Sequence, residues 1–129
     1  MKIAIIGCGV MGTGVGLTLL AKGHEVSCYN RNPANTNNAT LLSAGARLCG
    51  SPGEAAEHAS HVIVLVWNEA ALHEVVDGTG GLLASARAGQ VFIDMSTQLP
   101  QTSRAVAAQF ETLGASYIDA PVHGSRAEA

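Results

Sequence analysis

The chain has 129 residues, 47% of them apolar, and a formal net charge of −3 at pH 7. That is enough for one domain with a real core, and too little cationic surface for a nucleic-acid binder. Its longest apolar run, Val62 to Trp67, is far too short to cross a bilayer, no secretory leader pattern opens the chain, and Cys8, Cys28 and Cys49 match no zinc or redox spacing, so a reduced, cytoplasmic protein is expected.

Lys2 to Ile6 predicts a strand that enters Gly7-Cys8-Gly9-Val10-Met11-Gly12, a G-x-G-x-x-G turn. In such a turn the first glycine makes the tight bend, the second lets backbone approach a pyrophosphate, and the third lets the next helix pack on the strand. An apolar helix follows through Val15, Leu19 and Leu20, then a second strand from Glu25 to Tyr29. The helix start aims unpaired amides and the positive dipole end at phosphate, so this βαβ unit predicts a dinucleotide site. Cys8 lies inside the turn. A helix N-terminus lowers a thiol's pKa, but the expected role is a small residue filling a tight turn.

The tip of the second strand meets the adenosine ribose in such units, and NAD binders place Asp or Glu there. Here the tip is Asn30-Arg31-Asn32. Arg31 offers a planar fork of donors suited to a 2′-phosphate, and Asn30 and Asn32 add amide donors. The sequence therefore predicts NADP(H) in preference to NAD(H). Asn32-Pro33 also reads as a helix cap followed by proline at the first helical position.

Five asparagines between Asn30 and Asn38 predict a short second helix, carried by Leu41-Leu42 and stopped at Gly45. Ala46 to Cys49 predicts a brief third strand. Ser51-Pro52-Gly53-Glu54 is a capping box, giving a helix to about Ala59. Val62 to Val66, largely β-branched, predicts a strand buried on both faces. Leu72, Val75 and Val76 predict a short amphipathic helix ended by Gly78 to Gly81. Val91 to Asp94 predicts a fifth strand. Pro100 to Leu113, with Val106, Phe110 and Leu113 on one face, predicts a helix stopped by Gly114, and Ser116 to Asp119 a sixth strand. The alternation predicts an α/β fold: a Rossmann-type doubly wound parallel sheet of about six strands, in order 3-2-1-4-5-6, forming a single domain. Ligands bind beyond the carboxyl ends of such strands, where Gly7, Asn30, Trp67, Ser96 and Ala120 fall.

Several separate motifs occur together: Ile5 to Gly12, Lys22-Gly23-His24-Glu25-Val26, Tyr29-Asn30-Arg31, Ile93-Asp94-Met95-Ser96-Thr97 with Pro100, and Asp119-Ala120-Pro121-Val122. In this order they resemble the N-terminal domain of the β-hydroxyacid dehydrogenase family, which includes 3-hydroxyisobutyrate dehydrogenase, glyoxylate/succinic semialdehyde reductase and 6-phosphogluconate dehydrogenase. The resemblance implies that the turn Gly7, Gly9, Val10, Met11 and Gly12 holds pyrophosphate through its backbone. Asn30, Arg31 and Asn32 would hold the adenosine end, Val66, Trp67 and Asn68 would line the cofactor, and Thr97 would sit by the nicotinamide ribose. Ser96 and the segment His123-Gly124-Ser125 would meet a substrate carboxylate. The family usually has S-G-G or S-G-S where this chain has His123-Gly124-Ser125, so His123 departs from the pattern while Ser125 looks like the glyoxylate/succinic semialdehyde branch.

In that family a helical second domain supplies a catalytic lysine. The lysines of this chain are Lys2 and Lys22, each placed ~15 Å from the cofactor edge by strand and helix geometry. His123 is the one titratable candidate near the nicotinamide side, with a loop role expected. His24, His58, His61 and His73 lack metal-ligand spacing. The expectation is the cofactor-binding half of an NADP(H)-dependent oxidoreductase, ending before the helical domain and lacking turnover of its own. Its complete enzyme would pass hydride between the nicotinamide and a small 3-hydroxyacid or its aldehyde or ketoacid counterpart. A stand-alone, non-catalytic NADP(H)-binding or assembly module is the second reading. An imine-reductase-like domain is the third, and Asp119-Ala120-Pro121-Val122 argues against it. The expected partners are the nicotinamide cofactor, a small carboxylate substrate in the complete enzyme and a second copy of the chain, with no nucleic acid, membrane or metal. Self-association would use an uncovered sheet edge or apolar patch.

Overall fold

Strands and helices alternate along the computed structural model, which describes residues 1–122. In chain order they are β1 (Lys2–Ile6), α1 (Val10–Ala21), β2 (Glu25–Tyr29), α2 (Thr36–Ser43), β3 (Arg47–Leu48), α3 (Pro52–Ala56), β4 (His61–Val64), α4 (Glu69–Val76), α5 (Leu82–Ser85), β5 (Val91–Asp94), α6 (Pro100–Glu111) and β6 (Ser116–Asp119). All strand pairs are parallel and the sheet order is β3-β2-β1-β4-β5-β6. The order reverses direction at β1, which opens a crevice at the strands' carboxyl ends.

Register assigns each strand residue to a face. Ala4, Val62 and Phe92 align in one row, and Ile6, Val64 and Asp94 in another on the same side. These rows pack with Leu72, Val76, Leu82, Val106 and Phe110 into the larger core. Phe110 stacks on Phe92 with ring centroids 4.1 Å apart and on Tyr117 at 5.8 Å. The opposite face joins Ile5, Val26 and Cys28 to Leu41 in a smaller core under α1 and α2. Those helices contact β1, β2 and β3. Beyond them, Ile63 and Ile93 are half-buried, and Ile118 is 46% exposed. The expected strand at Val62 to Val66 is thus shorter, and only one of its faces is fully buried.

Other differences have local causes. Helix α2 starts at Thr36 rather than Pro33, because Asn35 caps it, accepting from the Asn37 amide at 2.9 Å. Asn32 instead closes a tight turn by accepting from the Ala34 amide at 3.0 Å. The capping box of α3 is half formed: Ser51 Oγ accepts from the Glu54 amide at 3.1 Å, while the Glu54 carboxylate takes the Gly50 amide at 2.8 Å. Helix α3 ends at Ala56, not Ala59, where buried Gln90 donates to the carbonyls of Ala56 and Ala59 at 2.9 and 2.8 Å. Helix α5 had no sequence signal of its own. Leu113 falls past the end of α6 and is exposed.

Candidate nucleotide-binding site

The glycine turn is shaped by carbonyl oxygens. Gly7 adopts φ +101°, donates its amide to the Tyr29 carbonyl at 2.9 Å, and leaves no room for a Cβ, which would collide with the Leu65 carbonyl. A Cβ on Gly12 would collide with the Gly7 carbonyl. Gly9 differs: a Cβ there meets nothing within 4 Å. Gly9 is also the N-cap of α1, makes no side-chain cap bond, and is followed by no acidic residue in the first turn. The first-turn amides of a helix lack intrahelical acceptors. An uncapped, acid-free N-terminus beside open space fits a pyrophosphate.

Cys8 points the other way. It is fully buried, and its thiol donates to the Tyr29 carbonyl at 3.5 Å. The neighbouring Cys28 thiol, together with burial, holds the Cys8 thiol above its usual range. The lowering that a helix N-terminus gives an accessible thiol is therefore absent at Cys8.

Beyond the turn, a cleft of about 290 Å³ opens between the tip of β2 and the start of α4. Gly7, Gly9, Asn30, Arg31, Asn32, Val66, Trp67 and Asn68 all line it, together with Tyr29, Asn35, Leu65, Ala71, Glu74 and Val75. Sequence-distant candidates are thus brought together. Val10, Met11 and Gly12 form the adjoining first turn of α1. Asn68 also caps α4, accepting from the Ala71 amide at 2.9 Å. Trp67 is 96% exposed. Thr97 is exposed on the loop after β5 and is not among the cleft-lining residues. Ser96 does not face the cleft: it is 4% exposed and its Oγ accepts from the Val66 amide at 2.9 Å. Its position supports the end of β4. His123, Gly124 and Ser125 lie outside the described residues.

Two residues that sequence reasoning passed over complete the site. Asn38, 2% exposed, receives the Asn30 amide at 3.1 Å and donates to the carbonyls of Asn32 and Pro33, each at 3.0 Å. It fixes the loop that carries Arg31. Glu74, from α4, places its carboxylate 3.5 Å from the Arg31 guanidinium across the cleft. Its signal was the helical spacing Ala71, Glu74, Val75, which puts these residues on one face of α4.

The opposite end of the sheet has a different character. A surface groove of about 350 Å³ runs there among Lys2, His24, Arg47 and His58. Lys2 pairs with Glu25 at 3.9 Å, and Lys22 ends α1 on the same side. Both lysines are therefore remote from the glycine turn. Among the described residues no helix is long and apolar enough to cross a membrane.

The sequence matches the NAD binding domain of 6-phosphogluconate dehydrogenase over residues 2–129. Glyoxylate/succinic semialdehyde reductase 1 of Arabidopsis thaliana is 30% identical over 129 residues, which is 100% of this chain and 44% of that protein. The solved structure of a Salmonella typhimurium 3-hydroxyisobutyrate dehydrogenase superposes with a TM-score of 0.91 at 28% identity, covering 100% of this chain and 44% of that one. A Streptomyces aurantiacus imine reductase is similar too, with a TM-score of 0.78 at 27% identity over 91% of this chain and 39% of that one. The chain spans less than half the length of these relatives. Its motifs, its sheet order and its glycine turn agree with that match: the chain belongs to the family of nicotinamide-nucleotide-binding domains typified by 6-phosphogluconate dehydrogenase.

Proposed function

We propose that this domain binds NADP(H) in preference to NAD(H). In the complete enzyme it would serve hydride transfer between the nicotinamide and a small 3-hydroxyacid or its aldehyde or ketoacid counterpart. The observation that carries the cofactor choice is Arg31, the one cation lining the cleft among the described residues, on a β2 tip without a carboxylate. A guanidinium fork suits a 2′-phosphate, whereas ribose hydroxyls call for an acceptor. The glycine turn holds the pyrophosphate through backbone, Asn30 and Asn32 flank the adenosine end, Val66, Trp67 and Asn68 line the middle, and Thr97 reaches toward the nicotinamide ribose. When bound, the cofactor supplies the hydride. The chain's own residues bind and orient it.

Proton transfer needs a further group. With Lys2 and Lys22 at the far end of the sheet, the domain by itself is proposed to lack turnover. The catalytic base and the other wall of a carboxylate pocket then belong to a helical second domain of the complete enzyme, beside His123, Gly124 and Ser125. Self-association belongs to the same proposal, supported by Ile118 and Val122, which are exposed among the described residues. Titrating NADPH and NADH separately into the protein and following nicotinamide fluorescence tests the cofactor choice. NADPH is expected to bind about tenfold more tightly, the worth of one charge-assisted contact. Equal affinities, or tighter NADH, would refute it.

A further inference from the structure

The cleft that presents Arg31 also presents the carboxylate best placed to oppose it. Glu74 Oε2 lies 3.5 Å from Arg31 Nη1, a single contact between side chains that are 53% and 76% exposed. The two belong to elements on opposite walls, the β2–α2 loop and α4, and both line the same 290 Å³ space. Arg31 is carried by a loop that Asn38 already fixes, and α4 is anchored by buried Leu72, Val75 and Val76.

We propose that Glu74 is a specificity-determining residue that restrains the preference for a 2′-phosphorylated nucleotide, an inference that rests on Arg31 being the phosphate contact. A phosphate dianion arriving at Arg31 meets this carboxylate at close range. If Glu74 keeps its hold on the guanidinium, the phosphate shares a donor already partly neutralised. If Glu74 lets go, the ion pair is lost and two like charges remain near each other. Both arrangements penalise the phosphate, and a ribose hydroxyl suffers neither cost. A carboxylate in this position also supplies, from α4, the acceptor for ribose hydroxyls that the tip of β2 lacks. The penalty is that of an exposed pair in screening solvent, and so modest.

The test is calorimetric titration of NADP+ and NAD+ into the parent, Glu74→Gln and Arg31→Ala proteins. Glu74→Gln should tighten NADP+ about two- to fivefold at low salt, the range of an exposed ion pair, and leave NAD+ unchanged or weaker. The gain should fade near ~1 M salt, where charges a few ångströms apart are screened. Unchanged or weaker NADP+ binding in Glu74→Gln would overturn the inference. So would an equal gain for both nucleotides, or a gain that persists at high salt. Arg31→Ala separates the two levels of argument. If it abolishes the NADP+ advantage while Glu74→Gln does nothing, only the role of Glu74 fails. If it leaves the advantage intact, the assignment of Arg31 fails, and this inference with it.

Discussion

Tyr117 donates its phenolic hydrogen to Asp94 Oδ2 across 2.6 Å, tying β6 to the end of β5. The other carboxyl oxygen accepts from the Ser96 amide at 2.9 Å, and the Ser96 hydroxyl in turn accepts from the Val66 amide at 2.9 Å. These hydrogen bonds link β6, through the carboxyl end of β5, to Val66 after β4, a residue that lines the nucleotide cleft. Burial, then the bond to Asp94, raises the Tyr117 pKa well above the ordinary phenol. Its protonated form is thus bound to the fold. The unfolded phenol titrates near ~10, so this contribution is intact below about pH 10 and is lost as pH rises past it, by up to ~1.4 kcal/mol per pH unit. Tyr117→Phe should cost ~1.5–3 kcal/mol at neutral pH, as for a hydrogen bond to a charged group. It should also flatten the alkaline fall in stability, read from urea midpoints at stepped pH. A variant as stable as the parent, with the same alkaline slope, would remove this link from the account.

Gly12 and Gly9 of the turn separate by mechanism. Gly12→Ala drives a methyl group into the Gly7 carbonyl, so a loss of ~3 kcal/mol or more, or failure to fold, is expected. Gly9→Ala meets open space and should change stability by less than ~1 kcal/mol, while lowering nucleotide affinity about tenfold or more as the methyl fills the pyrophosphate position. Thermal melts and titrations on the two variants give the contrast. Full affinity in folded Gly9→Ala would mean the pyrophosphate lies elsewhere.

Asn38 holds three polar partners inside the β2–α2 loop. Asn38→Ala strips a buried network and should cost ~1–3 kcal/mol. It should also weaken nucleotide binding through Arg31, although Asn38 is not among the residues lining the cleft. Crossing it with Arg31→Ala checks the route. If the loop acts through the guanidinium, the two losses in affinity combine to less than their sum.

Cys8, Cys28 and Cys49 are all buried. A thiol reagent such as DTNB should label none of them in the native protein within minutes, and all of them in denaturant. Fast native labelling of one site, traced to Cys8 by substitution with serine, would restore the reactive-thiol reading that its burial argues against.

Much of this was legible in the chain because the signals were redundant. Strands β1, β2, β5 and β6 appear where their apolar runs and turn residues put them, and the sheet order follows from the chirality of parallel connections. Boundaries set by tertiary contacts were not legible. Gln90 ends α3 from more than thirty residues away in sequence, and the run after His61 is half-buried on one face because α1 and α2 cover only the β1–β3 side. Helix propensity marks Asn38 as a poor helix former and carries no sign that it is the buried anchor of a loop. The bond from the Val66 amide to Ser96 was illegible for a related reason: a polar residue at a strand's carboxyl end gives no sign in sequence of which neighbouring backbone group it will meet. Glu74 lies far in sequence from the tip of β2, where an acid would be expected, and only the fold brings it there from α4.

Amide NMR of the labelled domain, with and without NADP+, tests the central claim most directly. The account predicts shifts concentrated at Gly7 to Gly12, Asn30 to Asn32, Val66 to Asn68 and Thr97, with Lys2, His24, Arg47 and His58 at the far end of the sheet unmoved. No shifts at saturating nucleotide, or shifts centred on the far groove, would contradict it.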